Sequence, residues 1–298
     1  MDERAALAML AEDLEAAGDD AAVVDDLVVT TDMLHERTDF PAGTSRYTAG
    51  WRAVGASLSD VAAMGAQARA AVAAYAAPAF DREELAAFVR GARAVCSLVD
   101  AEYVGGDLDE HREFTVTTTA IGRTDNPIYR DGAKPGDAVC VTGTLGRSAA
   151  ALELFERASE NDSEDLLERA NALFRFEPRI GAGRTLAPVA TAMMDSSDGL
   201  ARSLHQLGEA SGCGFAIDAD RIPVDDALDE LTDDARTLSL ATTFGEDFEL
   251  VVTIPEPDLE ATRESSTVAL TQIGTVVDPE NGITLNGKTL ANRGYTHG

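Results

Sequence analysis

Short β-branched runs alternate along this chain with longer stretches in which apolar residues recur every three or four positions. Alternation with period two marks half-buried strands, and a period near 3.6 marks amphipathic helices. The pattern predicts strands at 21–24 and 27–31, helices at 49–76 and 81–97, and strands at 101–104 and 113–121. Ahead of them, MDERAALAMLAEDLEAAG reads as an acidic helix rather than a signal peptide. Asn126, Pro127, Gly132, Pro135 and Gly136 then crowd into one loop, where a domain boundary is placed. Beyond it the pattern predicts a strand at 138–142, helices at 146–157 and 163–174, a strand at 190–194 and a helix at 199–211. Strands at 215–217 and 248–254 and a strand region from 268 complete the second half. The mixed order of elements predicts a two-domain α+β protein, residues 1–132 followed by 133–298.

Charge changes this picture most. The 298 residues carry 53 acids against 24 Lys plus Arg, a formal net charge of −29, and lysine occurs only as Lys134 and Lys288. Yet 45% of the chain is hydrophobic and patterned, which argues for a folded protein rather than a disordered acid. Such a balance suits a halophilic cytoplasm of molar salt, where screening shortens self-repulsion to a few ångströms. Duplex DNA and anionic membranes are poor partners for it. No run of about eighteen apolar residues is present to span a membrane. Cys96, Cys140 and Cys213 are scattered without paired spacing, which points to reduced thiols in a cytoplasmic setting and away from zinc.

In a chain this acidic, an acid is informative only where a solvated surface is improbable. GDDAAVVDDLVVTTD, residues 18–32, places acids around two apolar runs. If Asp25 and Asp26 form a two-residue hairpin turn, Asp20 faces Thr31 and Asp19 faces Asp32. Like charges opposite one another in a sheet repel. A positive group is then required there, and no Lys or Arg lies between Arg4 and Arg37. A divalent cation on carboxylate and hydroxyl oxygens would meet the need; acids facing brine would not need one. Asp60 lies in GWRAVGASLSDVAAMGA, a helix apolar or small on nearly every face, where an unpaired carboxylate needs a distant partner or a metal. In AEYVGGDLDE, Gly105 and Gly106 let backbone approach a ligand ahead of Asp107, although, taken singly, the stretch reads more readily as a plain glycine turn. In TAMMDSSDGLARSL a strand ends at Asp195 and a helix starts near Asp198. Asp198 suits an N-cap, and the free N–H groups of the same helix start also favour phosphate. No GxxxxGK[ST] loop or kinase signature is present, and the four histidines lack metal-like spacing.

The ordered set GDDAAV, TTD, LSDVAAMGA, GGD, GAKPGDAVCVTGTLGRSAA, MDSSDGL and GEDFEL resembles the thiamine-monophosphate kinase family of the PurM-like superfamily. The resemblance runs from Gly18 to about Tyr295. It implies two PurM-like α+β domains: an N-terminal sheet-and-helix domain that binds ATP and magnesium, and a C-terminal α/β sandwich. It further implies a homodimer formed through the N-terminal sheets. The implied activity is ATP-dependent phosphorylation of thiamine monophosphate to thiamine diphosphate, by direct in-line transfer without a phosphoenzyme. Carried over position by position, magnesium ligands are expected at Asp20, Thr30, Thr31, Asp32, Asp60, Asp107, Asp195 and Asp198. ATP contacts are expected at Gly106, Asp107, Arg130 and Ser197, and acceptor contacts at Asp39, Glu246 and Tyr295. No dedicated catalytic acid or base is implied; Asp198 and Arg130 are the candidates for transition-state support. The chain departs from the family pattern where Asp39 replaces a histidine, Leu108 a hydroxyl and Phe244 a glycine. Two alternatives share the superfamily or its fold: another ATP-dependent PurM-like enzyme, such as an aminoimidazole ribonucleotide or selenophosphate synthetase, and a non-catalytic nucleotide or metal sensor. The first cysteine, Cys96, stands far from the N-terminal position a selenophosphate synthetase expects.

Overall fold

The computed structural model describes residues 18–294, with Met9, Leu14 and Ala16 before them. The expected N-terminal helix, apart from those single residues, and Tyr295 lie outside the described residues. Two sheets organise the rest. The first has the order β1-β2-β5-β3-β4, from Ala22–Val24 (β1), Leu27–His35 (β2), Gln67–Ala77 (β3), Glu102–Glu110 (β4) and Thr115–Arg123 (β5). Its ladders are antiparallel except β3–β4, which are parallel and joined by the crossover helix Arg82–Leu98. The hairpin has the expected register, with Val24 opposite Leu27 and Ala22 opposite Val29. Asp19 and Asp20, however, turn away ahead of β1 instead of extending that ladder to Thr31 and Asp32.

The second sheet has the order β12-β11-β8-β10-β6-β9-β7. Its members are Ala138–Thr142 (β6), Ala192–Asp195 (β7), Gly214–Ile217 (β8), Leu250–Ile254 (β9), Leu270–Val277 (β10), Ile283–Leu285 (β11) and Lys288–Thr289 (β12). Strands β6, β7 and β9 are buried along their whole length because each face meets a different core. On β6, Ala138 and Cys140 pack toward the first unit, whereas Val139 and Val141 pack against the helices Arg147–Asn161 and Leu200–Ser211. This is period-two alternation with apolar residues on both sides, which reads as a continuous apolar run in sequence.

Helix Arg46–Ala63 fills the layer between the sheets. Val54, Leu58 and Val61 share one core with Ala71 and Ala120 of the first sheet and with Met193 and Val252 of the second. Its small, apolar surface therefore records burial on nearly every side, as its sequence predicts. The helix stops at Ala63, and the expected helix at 49–76 is corrected accordingly: Gln67–Ala77 is a strand. Gly65 makes the stop, with a left-handed φ of 65° and no room for a β-carbon, which would lie 2.6 Å from that of Ala187. Alanine favours helix intrinsically. Here β4 and β5 bond β3 on both sides, and its small side chains lie flat beneath the buried helix, so tertiary packing decides.

A second correction concerns GGD. Strand β4 does not end there but runs on to Glu110 as an edge strand. Gly106 is forced by close approach: a β-carbon on it would lie 1.8 Å from the Ala73 carbonyl oxygen, whereas one on Gly105 would meet nothing within 4 Å. The short helices Ile180–Leu186, Asp226–Asp229, Asp234–Thr243 and Leu259–Ser265 add to the elements that the pattern predicts. Gly106→Ala is expected to lower unfolding free energy by roughly 1–3 kcal/mol in urea melts, and Gly105→Ala by less. Equal losses would show that the β3–β4 approach is not the constraint.

Candidate active site

Carboxylate oxygens of Asp20, Asp60 and Asp195 lie within 4.8 Å of one another. Each comes from a different layer. Asp20 precedes β1 in the first unit, Asp60 stands in the last turn of the buried helix, and Asp195 ends β7 in the second sheet. At an effective dielectric constant of about 20, two unit charges that close repel by roughly 3 kcal/mol. Hydroxyls on the same layers orient them. Thr30 Oγ1 donates to Asp60 Oδ2 at 2.5 Å, and Ser59 Oγ to Asp195 Oδ2 at 2.7 Å. Ser57 Oγ donates to Asp32 Oδ2 at 2.5 Å. Ser57 and Asp60, one turn apart, thus address β2 while Ser59 addresses β7. Ser197 donates to Asp195 Oδ1 through both its hydroxyl, at 2.6 Å, and its N–H, at 3.1 Å.

The positive group beside Asp19 and Asp20 is Arg130, contributed by the loop between the sheets. Its Nη2 donates to Asp20 Oδ1 at 2.7 Å, and its backbone N–H to Asp19 Oδ2 at 2.9 Å. One guanidinium thus faces Asp19, Asp20 and Asp195, and Asp32 adds its field at Asp60. Burial, followed by the charges of Asp32, Asp195 and Asp20, pushes the Asp60 carboxyl well above the ordinary carboxylate range. Burial and then Asp20 raise Asp195 to about 6, and the same two causes raise Asp19 to about 6. The arrangement is an oxygen-only, electron-rich hollow suited to a hard cation.

Glu246 lies next to this hollow. Its N–H donates to the Ser197 carbonyl at 2.6 Å, and its carboxylate accepts from Arg52 Nη2 at 2.7 Å. Asp247 takes the role expected of a cap, though for a different helix: its carboxylate accepts from the N–H groups of Gly146 and Ser148 at the start of Arg147–Asn161. The cap expected of Asp198 is corrected, since the N-cap of Leu200–Ser211 is Gly199, one residue further on.

Two family models match this chain: AIR synthase related protein, N-terminal domain, over residues 18–124, and its C-terminal domain over 134–285. A thiamine-monophosphate kinase from Halobacterium salinarum is 59% identical over the full length of both chains. One from Methanospirillum hungatei is 42% identical, over 91% of this chain and 88% of its own. The chain belongs to the thiamine-monophosphate kinase family. The solved structure of AaThiL complexed with AMPPCP and TMP superposes with a TM-score of 0.88 at 28% identity, over 100% of this chain and 97% of that one. This family membership, with its two-domain α+β fold, agrees with the resemblance read from the motifs.

The remaining positions that match thiamine-monophosphate kinase motifs are less gathered. Asp39 is 3% exposed; one carboxylate oxygen accepts from the His35 N–H at 2.7 Å and the Thr38 hydroxyl at 2.8 Å. Thr31 Oγ1 donates to the Thr118 carbonyl at 2.8 Å. Gly106 and Asp107 stand apart within one chain. The register runs Asp32–Thr118–Ala73–Gly106 across β2, β5, β3 and β4, three strand spacings or about 14 Å. Sequence reasoning did not single out Ser57, Ser59 or Arg52 as site residues. Their signal is a hydroxyl or cation in an otherwise apolar helix, which is informative only once burial is known.

Acids with folded pKa values raised above the ordinary 3.8 stabilise the fold when protonated and lose that contribution as pH rises. In EDTA, stability should therefore fall from about pH 4 to about pH 7. Asp60→Asn should flatten that fall and melt higher than wild type at pH 8. An Asp60→Asn variant that is less stable in EDTA would contradict the repulsion described.

Proposed function

We propose that this chain transfers the γ-phosphoryl group of ATP directly to thiamine monophosphate, giving thiamine diphosphate and ADP without a phosphoenzyme. The carrying observation is the convergence of Asp20, Asp60 and Asp195 from both units. Magnesium fits this donor set; Asp20, Asp60 and Asp195 would hold it, with Thr30, Thr31, Asp32, Asp107 and Asp198 as further ligands. When bound, such ions supply charge neutralisation for two polyanions, the main requirement of phosphoryl transfer. The chain's own hydroxyls on Ser57, Ser59 and Thr30 orient the carboxylates. Arg130, through its guanidinium beside Asp20, and Ser197 are assigned to the phosphates of ATP. The acceptor phosphate is already ionised, so no general base is assigned.

A cavity of about 680 Å³ between Arg82–Leu98 and β4 accommodates the nucleoside of ATP. Tyr75, Phe88, Arg93, Tyr103, Gly106 and Asp107 line it. The separation of Asp107 from the aspartate hollow favours a homodimer in which β4 of a second copy completes each site. The face of the first sheet opposite the buried helix exposes Met33, Val72 and Ile121, an apolar surface suited to that contact. Among the described residues no helix is long and apolar enough to cross a membrane. The acidity suits work in a cytoplasm of molar salt, the setting also suggested by similarity to a Halobacterium salinarum relative.

In molar KCl with magnesium, ADP release is expected with thiamine monophosphate and not with thiamine. ATP made chiral at the γ-phosphorus should give inversion; retention would defeat direct transfer. Asp60→Asn should lose more than roughly 10²-fold in turnover while staying folded. Mixing inactive Asp60→Asn and Asp107→Asn subunits should restore about a quarter of wild-type activity, because each mixed dimer keeps one intact site. Absence of restoration would sink the shared-site dimer.

A further inference from the structure

We propose that Arg52 is a positioning residue that holds Glu246 in place for the acceptor substrate, acting from one unit onto the other. The inference rests on the reading of Glu246 as an acceptor contact. Arg52 belongs to the helix between the sheets, yet its guanidinium ends in the second unit and is 1% exposed. Nη1 donates to the Phe174 carbonyl at 2.8 Å, and Nη2 to the Glu246 carboxylate at 2.7 Å and to its carbonyl at 3.1 Å. The guanidinium carbon lies 3.7 Å from the Phe174 ring centre and 5.3 Å from that of Phe248.

The loop it grips is strained. Gly245, Glu246 and Phe248 have φ values of 84°, 60° and 55°, and the latter two carry side chains in a left-handed conformation. Such a backbone persists only where its surroundings over-determine it. Arg52 and Ser148, whose hydroxyl donates to the Glu246 carbonyl at 2.6 Å, supply that constraint. The cation is not placed for cohesion alone, because its Nε is buried without a hydrogen-bond partner, and apolar side chains of similar size fill such a space more favourably. From Glu246 the chain of contacts passes to the Ser197 carbonyl and on to Asp195. Arg52 therefore sets the distance between the acceptor contact and the aspartate hollow.

Lysine at this position keeps the charge but loses the planar fork and the stacking. Steady-state kinetics of Arg52→Lys, Glu246→Gln and the double variant test the assignment in molar KCl with magnesium. Arg52→Lys is expected to raise KM for thiamine monophosphate about tenfold, with kcat and the KM for ATP within about twofold. The double variant should be no worse than the poorer single one, since the two residues act as a unit. If Glu246→Gln leaves that KM unchanged, the reading of Glu246 fails. If Glu246→Gln raises it and Arg52→Lys does not, only the role of Arg52 is overturned. Equal damage to kcat and to both KM values would mean a merely structural arginine and would overturn it too. Should Arg52→Lys not fold, Ser148→Ala decides: about a threefold rise in the same KM supports the grip on the loop, and no change overturns it.

Discussion

Mutual repulsion among buried carboxylates is the constraint on which the rest of this structure depends. Asp60 stands largely buried between the layers with Asp20 and Asp195 against it and Asp32 nearby, and no apolar packing makes that arrangement favourable by itself. It survives because hydroxyls tie Asp60, Asp32 and Asp195 and because one arginine, Arg130, reaches in to Asp20 from the loop between the sheets. A fold selected for stability alone would replace such acids with apolar side chains. Keeping them makes sense where the protein must hold positive charge between two anionic ligands.

The helix Arg46–Ala63 turns this electrostatic demand into geometry. It is one rigid rod inserted between two sheets, so residues on its different faces address different units. Ser57 and Asp60 meet β2, Ser59 meets β7, and Arg52 meets the loop that carries Glu246. Its small apolar residues let both sheets close on it, and the same closeness explains the alanines of β3. Core packing and site assembly are consequently one event: the contacts that bury Val54, Leu58 and Val61 also bring Asp60 to Asp20 and Asp195.

Much of this was legible from residues in order. The hairpin register through Val24 and Leu27, the burial of the Asp60 helix and the strand at 138–142 all follow from local rules of turn length and periodicity. Where those rules failed, a distant partner outweighed a local preference. Residues 67–77 favour helix as an alanine-rich stretch and become a strand because β4 and β5 bond them on both sides. GGD looked like a turn and is mid-strand because Gly106 must approach Ala73. Asp198 looked like a cap, but capping in this region is done by Asp247 on another helix, from about a hundred residues away in the chain.

The sequence by itself determined that Asp60 stands where burial makes charge costly, since helix periodicity and the company of apolar residues are local properties. Tertiary structure alone decided which acids meet it, that Arg130 rather than a nearby cation faces them, and that Asp107 lies three strands from Asp32. The physical reason is range. Hydrophobic pattern acts over a turn or a strand, whereas Coulomb repulsion and hydrogen bonding act between whatever side chains the packed layers bring within a few ångströms.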